Sequence, residues 1–192
     1  MDLELDLAVT TLQVRRWWGL THAELKERGF ILEGRSIKRT RDTQSPSTVT
    51  FVLINEEHLG LSNIALNHLA GTAAIRYALG AGYVLPDGPQ EWSSTAWREA
   101  ATMVPDALWK KSDGQRVAIE YDATYYSNTR VRQKGEAFSQ FDAQVWGAPT
   151  EIRVAALRDL LRDVDPEAKV VLADPLANAR FSRPSKPPRP SS

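Results

Sequence analysis

Four side chains have the types and the spacing for chemistry, and they lie within one segment of the chain. They are Asp106, Glu120, Asp122 and Lys134. From Arg116 to Asp122 large apolar residues occupy every second position, and this period of two predicts a strand with both of its carboxylates on one face. Carboxylates on that face can bind a cation together with a facing carboxylate from a neighbouring strand.

The turn before this strand decides which residue faces Glu120. Ser112-Asp113-Gly114 is a favourable three-residue hairpin loop, with Gly where φ must be positive, and it sets Asp106 opposite Glu120. A two-residue Asp113-Gly114 turn would place Asp106 against Tyr121 instead, and we prefer the longer loop. Facing side chains lie about 5 Å apart, so two like charges there need a cation. Mg²⁺, or Mn²⁺ in its place, is the natural candidate, because carboxylates, waters and substrate phosphate commonly hold it.

A helix is predicted after the hairpin, with Asn128 or Thr129 as its N-cap. Its apolar stripe consists of Val131, Phe138 and Phe141. Lys134 falls on the same stripe, and a core-facing lysine is costly unless it snorkels or meets anions. We therefore expect Lys134 and the three carboxylates to form one cluster.

The N-terminal part is predicted to form two short helices and a hairpin. The helices cover residues 11 to 19 and 20 to 28, and the second begins with a capping box of Thr21 and Glu24 and ends at Gly29. The hairpin strands cover residues 36–41 and 48–54. Two helices with a tight join before a hairpin resemble a winged helix-turn-helix.

Basic residues are clustered, although the net charge of the chain is zero. The predicted wing carries Arg35, Lys38, Arg39 and Arg41, and the helix of Lys134 carries Arg130 and Arg132. A positive wing suits contacts with the phosphates of a duplex, so DNA is the expected partner. Ordinary solvated faces and a protein-docking wing are the alternatives.

The remaining segments predict an α/β (α+β) fold. A long helix over residues 58–79, with His58, Asn63 and His68 as structural polar residues, links the wing to the second part. A helix over residues 90–103 precedes the hairpin. An amphipathic helix over residues 151–162 lies between strands at 143–146 and 169–173. Strands that alternate with helices in this way indicate a mixed sheet.

Composition excludes several classes of protein. The 192 residues are 42% hydrophobic and 25% charged, as in globular proteins. The absence of cysteine excludes disulfides and thiolate metal sites and favours a cytoplasmic location, and the three histidines lack zinc-site spacing. The acidic N-terminus and the lack of a long apolar run predict no signal peptide and no membrane partner.

The chain resembles the PD-(D/E)xK nuclease fold in the order of these residues: Pro105-Asp106, then Glu120-Tyr121-Asp122, then Lys134 on the next helix. With the winged helix, a Trp- and Glu-rich helix, PDALW and IEYD, residues 10 to 165 look like the plasmid replication-relaxation family. The resemblance implies that Asp106 and Glu120 bind the metal and that Lys134 orients the attacking water. In the wider nuclease group the lysine lies two residues after the glutamate, where this chain has Asp122, so Lys134 would be a relocated lysine.

The same resemblance implies further assignments. In the nuclease fold, a helix just before the strand that begins at the Pro-Asp pair often supplies another acidic metal ligand. In this chain Glu99 is the best candidate for that ligand and Glu91 is the second. Asp122 would share the metal or hold Lys134. The domain boundaries that follow are 1–57 for the winged helix-turn-helix, 58–82 for the linking helix, 83–181 for the restriction-endonuclease-like mixed-sheet domain and 182–192 for a disordered basic tail.

Three functions are compatible with these residues. The leading hypothesis is a DNA-binding protein of plasmid or mobile-element type with metal-dependent phosphodiester cleavage. A non-catalytic nuclease-fold protein, which binds DNA or a plasmid replication or mobilisation protein, is favoured by the missing lysine at position 122. A transcriptional regulator whose second domain forms a homodimer is the third.

Overall fold

The protein is described from a computed structural model, which defines residues 3–38, 45–81, 91–95, 103–123 and 126–177. The first half contains α1 (Leu3–Asp6), β1 (Ala8–Thr10), α2 (Thr11–Trp18), α3 (His22–Glu27), β2 (Ile31–Ile37), β3 (Ser47–Leu53), a 3-10 turn (Glu56–Gly60) and α4 (Asn63–Leu79). The second half contains β4 (Glu91–Ser94), β5 (Ala107–Lys110), β6 (Arg116–Tyr121), α5 (Asn128–Phe138), β7 (Ala143–Ala148), α6 (Glu151–Arg162) and β8 (Lys169–Leu172). The predicted α+β class is confirmed.

The two helices predicted before the hairpin are present as α2 and α3. The Thr21 side chain accepts from Glu24 N and the Glu24 side chain accepts from Thr21 N, which completes the predicted capping box of α3. Gly29 follows with φ +79° and ends that helix. The hairpin of β2 and β3 is present, but β2 covers residues 31–37 rather than 36–41, and Arg39 and Arg41 lie outside the described residues.

Helix α4 is the central helix of the molecule, because it packs against both sheets. Leu66, Leu69 and Ala70 belong to the core of the antiparallel sheet β1-β3-β2. Ala74 and Ile75 belong to the core of the five-stranded sheet, and Ile75 lies on the side of the helix opposite Leu66. A helix that is apolar all round is buried all round. The segment that the sequence predicts as a link therefore contacts both halves of the fold, whereas the domain boundaries remain a prediction.

A close approach brings α4 onto the five-stranded sheet. A Cβ at Gly71 would lie 2.2 Å from ring atoms of Tyr121 on β6, and one at Gly147 on β7 would lie 2.4 Å from Ile75. Only glycine permits such contacts. Because His68 lies one helical turn before Gly71, this contact also holds His68 against the end of β6.

The second sheet is mixed, as predicted, with the order β4-β5-β6-β7-β8. Strands β4, β5 and β6 are antiparallel, and β6, β7 and β8 are parallel. Helix α6 has the predicted bounds, and its four predicted inward residues are buried: Val154, Leu157, Leu160 and Leu161. On β6, Val117 and Ile119 share a core with α4, whereas Ala118 shares one with α5 and α6, so the helices cover both faces.

One prediction in this half is wrong. The helix expected over residues 90–103 is replaced at its start by β4, where Trp92 pairs with Trp109 of β5. Pairing with β5 satisfies the backbone groups of the two strands that face each other, and this outweighs helix propensity in a short segment. Glu91 is on this strand and lies 3.2 Å from Lys110 Nζ, and Glu99 lies outside the described residues.

Among the helices that the structure describes, none has both the length and the apolar character needed to cross a bilayer.

Candidate functional site

The hairpin has the three-residue loop that the sequence predicts. Lys111 N donates to Gln115 O at 2.8 Å, and Gly114 has φ +87°. The last pair of the ladder is Ala107 with Ile119, so the next position in the same register sets Asp106 opposite Glu120. The alternative register, with Asp106 opposite Tyr121, is excluded.

Glu120 is fully buried and contacts Lys134. Lys134 Nζ lies 2.5 Å from Glu120 Oε1, and the Tyr126 hydroxyl donates to the same oxygen at 2.7 Å. Helix α5 directs Lys134 inward because Val131 and Phe138 anchor the same stripe in the core. A buried lysine therefore meets an anion, as the sequence predicts.

The N-cap of α5 differs from the prediction. Ser127, rather than Asn128 or Thr129, accepts from Arg130 N. All of these residue types cap well, so the choice depends on where the chain leaves β6.

Asp122 is separated from Lys134 and pairs with a different helix. Arg153 Nε donates to Asp122 Oδ2 at 2.9 Å, and its Nη2 contacts the same oxygen. Arg153 lies in the first turn of α6, where the Thr150 side chain caps the helix. Two residues along a strand span about 7 Å, which moves Asp122 away from α5 and towards α6. Of the residues expected to form one cluster, Glu120 therefore pairs with Lys134, whereas Asp122 pairs with Arg153.

Asp106 contacts His68, which the sequence predicts to be a structural residue. Its Oδ2 accepts from Tyr121 N at 2.9 Å and lies 2.7 Å from His68 Nδ1 on α4. No spacing pattern relates His68 to the hairpin, since α4 lies far earlier in the chain. The sequence signal for His68 was a titratable residue within a largely apolar helix, a signal that it shares with Arg76.

Burial and mutual charge shift the pKa values in this cluster. Burial, with the nearby Asp106 carboxylate, raises the pKa of Glu120 to about 7, although Lys134 opposes that shift. Burial alone would raise the pKa of Asp106, but His68 and Lys134 hold it below its usual value. Burial alone would lower the pKa of His68, but the Asp106 charge raises it.

Tyr126 completes the cluster as a hydrogen-bond donor. Burial and the Glu120 carboxylate raise the pKa of Tyr126 well above its usual range. The phenol therefore keeps its proton at neutral pH and donates to Glu120 Oε1. Together, the cluster holds an Asp–His pair beside a carboxyl group whose pKa is near neutrality.

The carboxylate side chains of the cluster are suitable ligands for a divalent metal, but they are not grouped as the ligands of a metal site are. Within the described residues, no group of three or more His, Asp or Glu side chains has the arrangement of a metal site. Glu120 Oε2 and Asp122 Oδ1 are nevertheless buried without a hydrogen-bond partner. Such orphaned atoms are rare, and carboxylate oxygens are the ligands that Mg²⁺ prefers. These two oxygens are the positions that a hard cation would satisfy.

The predicted DNA-binding residues that the structure describes lie in or next to two separate elements. On β2, Arg35 donates to Leu59 O at 2.6 Å, and its Nε lies 2.9 Å from Glu33 Oε1 without hydrogen-bond geometry. Lys38 lies just after β2. On α5, Arg130 is half-buried and Arg132 is exposed. Arg35 is thus already engaged within the protein.

Comparisons of the chain with protein-family models, with curated proteins and with solved structures found no match.

Proposed function

We propose that the protein binds DNA and cleaves phosphodiester bonds with a divalent metal. The observation that carries this proposal is the meeting of Asp106 and Glu120 at facing positions of a hairpin, with Lys134 on Glu120. Two acidic side chains and one lysine are the groups that metal-dependent phosphodiester cleavage uses.

The order of the elements around the site supports the same proposal. An antiparallel hairpin followed by two parallel strands with intervening helices is similar to the PD-(D/E)xK fold. Glu120 and Asp122 lie at the carboxyl end of β6, beside the N-terminus of α6, where open sheets commonly bind anionic ligands. In the N-terminal half, the order α1, β1, α2, α3, β2, β3 is similar to a winged helix-turn-helix.

Each residue of the cluster has a role in this proposal. When bound, Mg²⁺ or Mn²⁺ lowers the pKa of a coordinated water and offsets charge on the phosphate. Asp106 and Glu120, with Asp122 as a neighbour, would hold the ion through oxygens such as Glu120 Oε2. Lys134, which contacts the other carboxylate oxygen of Glu120, would orient the attacking water. Arg153, at the N-terminus of α6, would attract the phosphate.

A second function has its own support, namely a non-catalytic scaffold that binds DNA or a plasmid replication protein. Each of the three carboxylates already has a basic partner in the chain: His68 for Asp106, Lys134 for Glu120 and Arg153 for Asp122. Cation partners can serve stability or specificity alone. Fold resemblance does not decide between the two functions.

The deciding experiment measures nicking of a supercoiled plasmid in Mg²⁺, in Mn²⁺ and in EDTA. Asp106→Asn, Glu120→Gln and Lys134→Ala should each reduce cleavage by about a hundredfold or more, the scale of losing one transition-state contact. Glu136→Gln is the matched control, since Glu136 is an exposed carboxylate on α5. Duplex binding without cleavage by the wild type would favour the scaffold, and equal cleavage by all variants would contradict this site.

A further inference from the structure

A cleft of about 190 Å³ opens between the end of β2 and the first turns of α4. Its main lining residues are Ile37, Lys38, Asn63, Ile64, Asn67 and His68. Asn63 Nδ2 donates to Ser36 O at 3.1 Å, which ties the helix to the strand. The cleft is therefore a feature of two packed elements rather than of a surface loop.

Asn67 lines the cleft and has a buried amide oxygen without a hydrogen-bond partner. Asn67 is only 4% exposed, and its Oδ1 has no hydrogen-bond partner. A buried amide oxygen without a partner is costly, because it has lost its water without replacement. A ligand that offers an N–H group at this depth would restore the missing hydrogen bond.

Two isoleucines and one lysine also line the cleft. Ile37 is buried and Ile64 is 67% exposed. Lys38 lines the cleft, and the first N–H groups of α4 give its helix terminus a partial positive charge. A planar heterocycle with an N–H edge and an attached anion matches this combination, as in a nucleotide.

His68 joins this cleft to the acid cluster. It lines the cleft, and its Nδ1 lies 2.7 Å from Asp106 Oδ2. A ligand in the cleft would therefore lie one side chain away from the carboxylates of the hairpin. This continuity makes DNA itself, rather than a free nucleotide, the expected source of the ligand.

We propose that the cleft binds one unpaired nucleobase of the DNA, next to the acid cluster. Asn67 Oδ1 accepts from an N–H of the base, Ile37 and Ile64 pack on its faces, and Lys38 lies beside its phosphate. This proposal rests on the proposed function and deepens it, because the preferred DNA then has a single-stranded overhang or junction rather than a continuous duplex.

The test compares two duplexes that differ in one overhang nucleotide, either 2-aminopurine or an abasic residue. Fluorescence anisotropy measures affinity, and 2-aminopurine emission reports transfer of the base into a new environment. The wild type should bind the base-containing overhang about tenfold more tightly than the abasic one, on the scale of one buried hydrogen bond and its apolar contacts. Moving the probe along the overhang finds the nucleotide that enters the cleft.

Two variants and one control locate the effect. Asn67→Leu removes the acceptor and keeps the branching and the number of side-chain heavy atoms, and Ile64→Ser removes an exposed apolar contact without touching the core. Both should reduce the tenfold preference to near unity while blunt-duplex affinity is retained. Ile152→Ser is the matched control, since Ile152 is also an exposed isoleucine at the second position of a helix, and it should keep the preference.

The outcomes separate the two proposals. Equal affinity of the wild type for both overhangs, with normal duplex binding, overturns the cleft proposal and leaves the proposed function standing. A preference that survives in both cleft variants also overturns it. Failure of the wild type to bind any DNA contradicts the proposed function, and the cleft proposal falls with it.

Discussion

Among the residues that the structure describes, buried charges occur in two regions, and these regions differ in how completely the charges are paired. Arg76 of α4 donates from Nε to Asp6 Oδ1 at 2.7 Å, from Nη2 to Asp6 Oδ2 at 2.5 Å and from Nη1 to Ala81 O at 3.1 Å. In the hairpin region, Glu120 Oε2 and Asp122 Oδ1 have no hydrogen-bond partner. One region is a satisfied ion pair, and the other retains unsatisfied oxygens.

This difference distinguishes buried charges that only stabilise the fold from buried charges that serve a function. The pair of Asp6 and Arg76 is bidentate, so it ties α1 to α4 and needs no ligand. The hairpin cluster bears an unrelieved desolvation cost together with shifted pKa values, which is typical of functional sites. A ligand that satisfies the two oxygens would stabilise the folded protein.

The largest expected effect is the loss of the satisfied pair. Asp6→Ala leaves the Arg76 charge buried without its partner and should lower the free energy of unfolding by about 3–5 kcal/mol. Urea unfolding followed by circular dichroism measures the change. Asp159→Ala, which removes an exposed partner of Arg162, should change it by less than about 1 kcal/mol. Similar losses in both variants would mean that burial does not distinguish the pairs.

Metal binding should have the next largest effect, and it should act on the hairpin cluster alone. At a Mn²⁺ concentration about 100 times its Kd, the wild type should gain about 2.7 kcal/mol of stability and melt at a higher temperature. Glu120→Gln and Asp122→Asn should lose this response, whereas Asp159→Ala should keep it. Calorimetry that detects no Mn²⁺ binding to the wild type would remove the metal from the proposal.

A smaller effect is expected from the pH dependence of Glu120. Its pKa is raised from 4.5 to about 7, so the folded protein holds this proton more tightly than the unfolded chain. The resulting stability is fully present below pH 4.5 and is lost as the pH rises through about 7. Glu120→Gln mimics the protonated carboxyl, so without metal it should equal the wild type at low pH and exceed it above neutrality.

Denaturant titrations of both proteins across this pH range provide the check. The difference between them isolates Glu120, because Asp106 and His68 titrate in both proteins. A difference that does not change with pH would mean that Glu120 keeps an ordinary pKa and resembles the satisfied pair after all.

The smallest effect on stability is expected at the predicted wing. Replacing Lys38 and Arg39 by Ala should reduce the salt slope of DNA binding by about one to two units, one for each phosphate neutralised. The free energy of unfolding should change by less than about 0.5 kcal/mol. Affinity measured from low to moderate salt tests this, and an unchanged slope would remove the wing from the DNA interface.

The sequence by itself determined the features that depend on neighbouring residues. The Ser112-Asp113-Gly114 loop and the alternation after it set the register of Asp106 and Glu120, because turn geometry and strand period are local properties. The capping box at Thr21 and the apolar stripe of α6 were predictable for the same reason. Lys134 could be placed near an anion because a core-facing lysine needs one.

Only the tertiary structure decided which distant residues complete the cluster. His68 reaches Asp106 because α4 packs between two sheets, with Gly71 against Tyr121. Asp122 pairs with Arg153 because α6 begins beside the end of β6. Residues 91–94 form a strand because they pair with the edge of β5. Each outcome depends on packing between segments far apart in the chain, for which no local period or spacing carries information.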